Sequence, residues 1–116
     1  MNRDATRLSE LERFRNLTEL DLFGNRLQTE VPELLKLPFL KKLNLANNKM
    51  SEVWKLPPTL EILNLSYNSL KRLDQSVFKT LSNLTTLEVS NNGLESLDGL
   101  GQAARLKRFI AKNNQI

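Results

Sequence analysis

The chain has 116 residues, of which 40% are hydrophobic and 26% are charged, so it fits one globular domain and is neither a disordered chain nor a two-domain protein. It contains no Cys and no His, which excludes disulfide frameworks, thiolate or imidazole metal sites, and the usual catalytic acid-base and nucleophile pairs. We therefore expect no enzymatic activity, no metal, no cofactor and no small-molecule substrate.

The amino-terminal sequence and the missing cysteines bear on the compartment. MNRDATRLSE (1–10) has no apolar stretch after its basic residues, and no apolar run in the chain approaches the length of a membrane helix. A chain without cysteine suits a reducing compartment. The sequence thus predicts an intracellular protein, cytoplasmic or cytoskeletal, that does not enter a membrane.

Five segments of the chain follow one pattern, L-x-x-L-x-L-x-x-N-x-L, and begin 23, 20, 24 and 22 residues apart. Each apolar-x-apolar pair predicts a short strand whose alternate side chains point into a core that forms only when the units stack. The segments are LTELDLFGNRL (17–27), LKKLNLANNKM (40–50), LEILNLSYNSL (60–70), LTTLEVSNNGL (84–94) and LKRFIAKNNQI (106–116).

One asparagine recurs where each predicted strand ends. A turning chain leaves backbone donors and acceptors without sheet partners, and an inward amide supplies both kinds of hydrogen bond. We therefore predict a structural role for this row and no part in recognition. Its members are Asn25, Asn48, Asn68, Asn92 and Asn114.

The return segments between the strands differ in length. Residues 28–39 carry Val31, Leu34, Leu35 and Leu37 at near-helical spacing after Pro32, which predicts a short helix. Residues 51–59 contain Pro57-Pro58 and favour an extended crossing. Trp54 in this segment is predicted to face outward, either packing on a neighbouring turn or forming a second contact surface. Residues 71–83 predict a helix or 3₁₀ helix with these residues inward: Leu73, Val77, Phe78 and Leu81.

The repeats resemble the leucine-rich repeat family from about Leu8 to Ile116. This resemblance implies an α/β fold: a curved solenoid with a parallel sheet on the concave side and short helical or irregular segments on the convex side. Residues 95–105 look like the intracellular 22-residue subclass, and residues 71–83 like the 24-residue class common outside cells. Residues 1–16 look like a half repeat or amino-terminal cap, because LSELERFRNL (8–17) aligns with LDGLGQAARL (97–106).

The same resemblance implies a protein-protein interaction module, similar to the repeat blocks that begin intracellular scaffold, cytoskeletal and ciliary proteins. Binding is expected at the concave positions that the core does not dictate. Glu19 beside Lys42 is either a cross-strand pair or part of the binding site. We predict an apolar hot spot at Phe23, Ile62, Ile110 and Tyr67. The full set of candidates is Glu19, Asp21, Phe23, Lys42, Asn44, Ile62, Asn64, Tyr67, Glu88, Arg108, Ile110 and Lys112.

Other functions stay open from the sequence. Residues 95–105 suggest a regulatory or targeting subunit of a protein phosphatase. Three glycosylation sequons, at Asn16, Asn64 and Asn83, suggest an extracellular receptor fragment, although the sequon overlaps the repeat pattern itself. A net charge of +4 without an aromatic-interleaved basic stripe argues against nucleic-acid binding. The pattern ends at Ile116 without a cap, so we expect 1–116 to be the amino-terminal part of a longer protein, or to self-associate through that end.

Overall fold

The computed structural model describes residues 13–116 as a solenoid whose units each contribute one strand to a parallel sheet. The five strands lie side by side in chain order, which confirms the predicted fold class. They are β1 (Glu19–Asp21), β2 (Lys42–Asn44), β3 (Ile62–Asn64), β4 (Thr86–Glu88) and β5 (Arg108–Ile110). The predicted half repeat at 1–16 lies mostly outside the described residues.

The core is a stack of leucines behind the sheet. The central residue of each of the first four strands is at most 3% exposed: Leu20, Leu43, Leu63 and Leu87. The apolar residue two positions later is fully buried in all four units: Leu22, Leu45, Leu65 and Val89. Phe109 and Ala111 in the fifth unit are only partly buried, because within residues 13–116 they have a packed layer on one side alone.

The recurring asparagines join each unit to the one before it. Asn92 Nδ2 donates to the carbonyl oxygens of Leu65 and Val89, at 3.0 and 3.1 Å, and so connects the ends of two neighbouring turns. Its Oδ1 accepts from the backbone N–H of Leu70 at 3.1 Å. Asn48, Asn68 and Asn114 make the same type of bonds in their own units. The predicted structural role of these asparagines is confirmed.

The first complete return segment contains a 3₁₀ helix at Pro32–Lys36, where the sequence predicts a short helix. A 3₁₀ helix has three residues per turn, so side chains three apart share one face. Val31, Leu34 and Leu37 are accordingly buried, whereas Leu35 is 45% exposed.

The longest return segment forms α1 (Gln75–Thr80), and the four apolar residues predicted to face inward are all buried there. Asp74 caps the helix. Hydrogen bonds from the Ser76 side chain and then from its backbone N–H hold the pKa of Asp74 below its usual value. This cap therefore supports the fold at neutral pH and is lost as the pH falls through the lowered pKa.

Trp54 corrects the prediction that it faces outward, because its side chain is only 5% exposed and belongs to the hydrophobic core. Residues 51–59 contain no helix or strand, as the two prolines predict. A segment without a helix leaves space behind the sheet, and Val53, Trp54 and Leu56 fill it. The indole N–H is buried without a hydrogen-bond partner. A second contact surface on Trp54 is therefore wrong.

A close approach between convex segments requires a glycine. The 3₁₀ helix at Asp98–Gln102 packs against α1, and a Cβ added to Gly99 would overlap the carbonyl oxygen of Leu73. A Cβ at Gly101, in the same helix, would have no heavy atom within 4 Å. Alanine substitutions at the two glycines therefore form a matched pair of variants in the same helix, one with a steric clash and one without.

We predict that Gly99→Ala lowers the free energy of unfolding by about 1 to 3 kcal/mol, because the Leu73 backbone must move to admit the methyl group. Gly101→Ala should leave that free energy unchanged or slightly raised. Urea unfolding of both variants measures the difference. Equal effects would show that the two convex segments separate readily.

A second prediction tests the two faces of β3. Leu63 is fully buried and its neighbour Ile62 is 39% exposed. Leu63→Ala should lower the free energy of unfolding by about 2 to 5 kcal/mol, because it opens a cavity in the core. Ile62→Ala should lower it by less than about 1 kcal/mol. Thermal and urea unfolding measure both, and comparable losses would contradict the assigned faces.

Candidate protein-binding surface

Strand register places the candidate residues in two rows across the concave face. The third-position row reads Glu19, Lys42, Ile62, Thr86 and Arg108, and the fifth-position row reads Asp21, Asn44, Asn64, Glu88 and Ile110. The positions are counted from the first leucine of the pattern L-x-x-L-x-L-x-x-N-x-L, and both rows consist of positions that this pattern leaves open. All members of the third-position row except the half-buried Thr86 are exposed, and every member of the fifth-position row is half-buried. The solvent-facing side of the sheet is therefore formed mainly by the third-position row.

Three fifth-position side chains also take part in the fold. Asp21 Oδ1 accepts from the backbone N–H of Phe23 at 2.9 Å. Asn44 and Asn64 accept in the same way from the residues two positions ahead, at 2.9 and 3.0 Å. The short side chain of Asp or Asn (Asx) reaches the backbone N–H two residues ahead. This N–H lies just beyond the end of the strand, so the side chain takes the place of a sheet hydrogen bond. Any contact with a partner would use the remaining polar atoms of these side chains.

The fourth and fifth units replace this bond by another. Glu88 and Ile110 occupy the Asx position, and there serine hydroxyls from the preceding unit accept instead. Ser66 Oγ accepts from the Ser90 N–H at 3.0 Å, and Ser90 Oγ accepts from the Lys112 N–H at 3.1 Å. Sequence reasoning missed this role of the serines, because the pairing becomes visible only once the units are stacked.

Continued alternation of the side chains beyond the strand predicts a third concave row at the seventh position of the pattern, but the structure does not form one. Phe23 is 47% exposed and Lys112 is exposed, but Ala46 and Ser66 are buried and Ser90 is half-buried. The chain has already turned inward beyond the strand at this position. Only Phe23 and Lys112, at the two ends, contribute to the surface.

Tyr67 combines exposure with an unusual backbone. It is 58% exposed and has φ +57°, in the left-handed region that bulky side chains disfavour. Its N–H donates to Ser90 O at 2.9 Å, and this bond holds the turn in place. The equivalent residues of the other units also have positive φ, but they are of the two types that tolerate it best: Gly24, Asn47, Asn91 and Asn113.

The same conformation occurs at Arg26, at a different position of the first unit. Tyr67 is thus the only aromatic residue with positive φ among residues 13–116. Its side chain is not needed for the turn, since asparagine or glycine makes that turn in the other units.

The four predicted hot-spot residues separate into two groups. Phe23, Ile62 and Tyr67 are exposed, whereas Ile110 is half-buried at the edge strand. Beside them, Glu19, Leu20, Asp21, Lys42 and Asn44 line a depression of about 330 Å³ between β1 and β2. Glu19 and Lys42 face each other there in register.

Matches to two family models identify the class of protein. A model of the leucine-rich repeat matches residues 58–116, and a model of two leucine-rich repeat copies matches residues 15–54. The chain belongs to the leucine-rich repeat family. Its fold is that of a protein-protein interaction module, which is typically non-enzymatic.

The chain spans less than a third of the length of the two curated relatives described next. Mimecan of Homo sapiens is 39% identical over 85 residues, which cover 71% of this chain and 28% of mimecan. Osteomodulin of Bos taurus is 35% identical over 86 residues, covering 71% of this chain and 20% of osteomodulin. The crystal structure of internalin C2 from Listeria monocytogenes superposes with a TM-score of 0.80 at 24% identity, over 97% of this chain and 49% of that chain. The internalin likeness concerns the fold alone.

These relatives overturn the predicted intracellular location. Mimecan and osteomodulin are secreted proteins of the extracellular matrix, and they point away from a cytoplasmic or cytoskeletal protein. The inference from missing cysteines was wrong because the asparagine bonds and the leucine stack hold the repeats together without disulfides. The part of the chain that the structure describes has no helix long and apolar enough to cross a membrane.

Two further expectations stay predictions. Among residues 13–116, no group of three or more acidic side chains is arranged to hold a metal ion. Self-association through β5 likewise stays a prediction.

We predict that Tyr67→Asn raises the free energy of unfolding by about 0.5 to 1 kcal/mol, because asparagine tolerates the left-handed conformation better. The reverse substitution at the equivalent position of the next unit, Asn91→Tyr, should lower it by a similar amount. Urea unfolding of both variants decides the matter. A loss of stability in Tyr67→Asn would mean that the tyrosine supports the fold and is not strained.

Proposed function

We propose that this chain binds a partner protein through the concave face of its sheet and the adjoining turn. Ile62 and Tyr67 provide the central apolar contacts, and Phe23 provides one at the end of the first unit. The observation that carries the proposal is Tyr67, an exposed aromatic side chain in a backbone conformation that costs stability. Tyrosine is enriched at interface hot spots because it combines a large apolar ring with a hydroxyl group.

The third-position row supports the same face. Its residues point away from the leucine core, so the choice of side chain there is independent of the packing behind the sheet. Ile62 is 39% exposed in the middle of this row, where a polar residue would serve the free protein equally well. An apolar side chain at the centre of a polar face is the arrangement expected of an interface core with a polar rim.

We further propose that this interaction takes place outside the cell, as the similarity to mimecan and osteomodulin suggests. Two sequon asparagines, Asn16 and Asn83, are exposed. Asn64 lies on the concave face, with its side-chain oxygen bonded to the Ser66 N–H. A glycan at Asn64 would cover the proposed binding face, so only the other two sequons are compatible with binding. Nothing among the described residues favours the phosphatase-subunit alternative.

The area of the sheet limits the affinity. Five strands about 4.8 Å apart form a strip about 24 Å wide, and about six residues of each unit, from the strand into the adjoining turn, extend it to a length of about 20 Å, so it presents roughly 500 Å² to a partner. A standard interface uses about 800 Å² on each side. The concave sheet of these units should by itself bind at about micromolar affinity, unless loops or further units enlarge the contact.

We predict that Phe23→Ala combined with Ile62→Glu weakens partner binding at least about tenfold while leaving the thermal midpoint nearly unchanged. Tyr67→Asn should also weaken binding although it stabilises the fold. Partners captured from extracellular protein extracts are identified by mass spectrometry, and their dissociation constants are then measured with each variant.

Leu35 and Phe39 supply the control, since they are 45% and 55% exposed in the return segment that contains the Pro32–Lys36 helix. Leu35→Glu combined with Phe39→Ala replaces one aliphatic side chain by glutamate and one phenylalanine by alanine, as the concave double variant does. Because both residues lie outside the sheet, this control variant should bind the partner as tightly as the unmodified protein. If this control variant lost binding and the concave variant kept it, the partner would bind the convex side and the proposal would be wrong.

A further inference from the structure

We infer that the partner presents an extended segment with a basic side chain at one end, an acidic side chain at the other and an apolar residue between them. This inference rests on the proposed function and adds the chemistry of the partner. It follows from the way in which charge is distributed along the concave face.

The β1 and β2 end of the concave face is acidic. Glu19 and Asp21 project from β1, and Lys42 of β2 offsets one of their charges. These residues line the 330 Å³ depression, together with Leu20 and Asn44. Glu19 is exposed, and one oxygen of Asp21 is left after the bond to the Phe23 N–H. The depression therefore offers carboxylate oxygens to a guanidinium or ammonium group from outside.

The β4 and β5 end of the same face is basic. Arg108 and Lys112 are both exposed, and Glu88 of β4 offsets one of their charges. Lys112 uses its backbone N–H to bind Ser90 Oγ, which leaves its ammonium group for other contacts. An acidic side chain is the complementary ligand for this end.

The middle of the face carries no charge. β3 presents Ile62 and Asn64, and the neighbouring strand adds the half-buried Thr86. Tyr67 lies at the exit of β3. An uncharged and partly apolar centre between two opposite charges fits an apolar residue of the partner.

The spacing gives the length of the segment. With neighbouring strands about 4.8 Å apart, β1 and β5 are separated by roughly 19 Å, which an extended chain covers in about six residues.

The net charge of the candidate residues on this face is zero, although the whole chain has a net charge of +4. Three of the charged candidates are acidic and three are basic: Glu19, Asp21 and Glu88, and Lys42, Arg108 and Lys112. Because the concave face has no excess of positive charge, a uniform polyanion such as nucleic acid is a poor match for it.

The test uses four synthetic nine-residue peptides with leucine at the centre and threonine or serine elsewhere. The first has arginine and glutamate six residues apart, and the others have two arginines, two glutamates or two glutamines at those positions. The protein is used unmodified and as Glu19→Lys, Arg108→Glu and the double variant. Both residues are exposed third-position side chains of edge strands, so all four proteins should fold; Glu19→Lys places a lysine opposite Lys42, which should lower the thermal midpoint slightly.

We expect the unmodified protein to prefer the arginine-glutamate peptide by about fivefold at low salt, with the preference shrinking as salt is added. Glu19→Lys should shift the preference to the two-glutamate peptide, and Arg108→Glu to the two-arginine peptide. The double variant should again prefer the arginine-glutamate peptide, now bound in the opposite orientation. As a control, Glu52→Lys and Lys55→Glu make the same charge changes at exposed positions of a return segment and should leave every preference unchanged.

Failure of the inference is distinguishable from failure of the proposed function. If all four peptides bound alike and Ile62→Glu abolished that binding, the charge pattern would be irrelevant while the concave face remained the binding site. If the double variant did not regain the preference for the arginine-glutamate peptide, or if no peptide bound, the inferred partner chemistry would be wrong. The capture experiment with the Phe23 and Ile62 variants decides the proposed function separately.

Discussion

The hydrogen bonds of one asparagine side chain per unit are the constraint on which the rest of this structure depends. Each strand is only three residues long, so the sheet ends before the chain has turned toward the convex side. At that point the amide of Asn68 bonds to carbonyl oxygens of its own and the preceding unit and accepts from the Met50 N–H. These bonds satisfy buried backbone groups at the turn. Each such group, if it were left unpaired, would lower the free energy of unfolding by about 1 to 3 kcal/mol. Asn68 thereby links the end of one strand to the end of the strand before it.

This constraint also explains the position of the exposed tyrosine. The residue just before each asparagine adopts positive φ, because the chain must reverse tightly to bring the amide inward. Glycine or asparagine suits that conformation, and four of the five units have one of them there. Tyr67 departs from the pattern in the unit whose strand also carries the exposed Ile62. Both departures from what the fold favours therefore lie in the same unit, which supports a binding role for that part of the surface.

The strands, their register and the inward leucines were predictable from the sequence because the repeat relates every unit to its neighbours by the same displacement. The pattern assigns Leu63 to the core and Ile62 to the surface without further information. Trp54 was not predictable in this way, since it lies in a return segment that has no counterpart of the same length in the other units. Its burial depends on the space left behind the sheet, and that space is set by the thickness of neighbouring segments. The serine bonds of Ser66 and Ser90 were missed for a similar reason, because they join residues 24 and 22 positions apart.

The candidate binding site was only partly predictable, because sequence position alone does not separate side chains that hold the turn from side chains that are available to a partner. Asp21, Asn44 and Asn64 occupy the same row as Glu88 and Ile110, yet only the first three accept a bond from the backbone two residues ahead. An Asx residue at this position has a sufficient explanation within the chain, whereas Glu88 and Ile110 do not form this turn. The fold therefore explains most of the fifth-position row but little of the third-position row. The residues that the fold leaves unexplained include Glu19 on β1, Ile62 and Tyr67 in the third unit, and Arg108 on β5, so they span the sheet from one edge to the other. Lys42 on β2 belongs to the same row and offsets the charge of Glu19, so it is the net charge of the face that changes from negative at β1 and β2, through zero at β3, to positive at β4 and β5. A partner that recognises this order must contact several units at once, so specificity would arise from the stacking of the repeats and from no single unit alone.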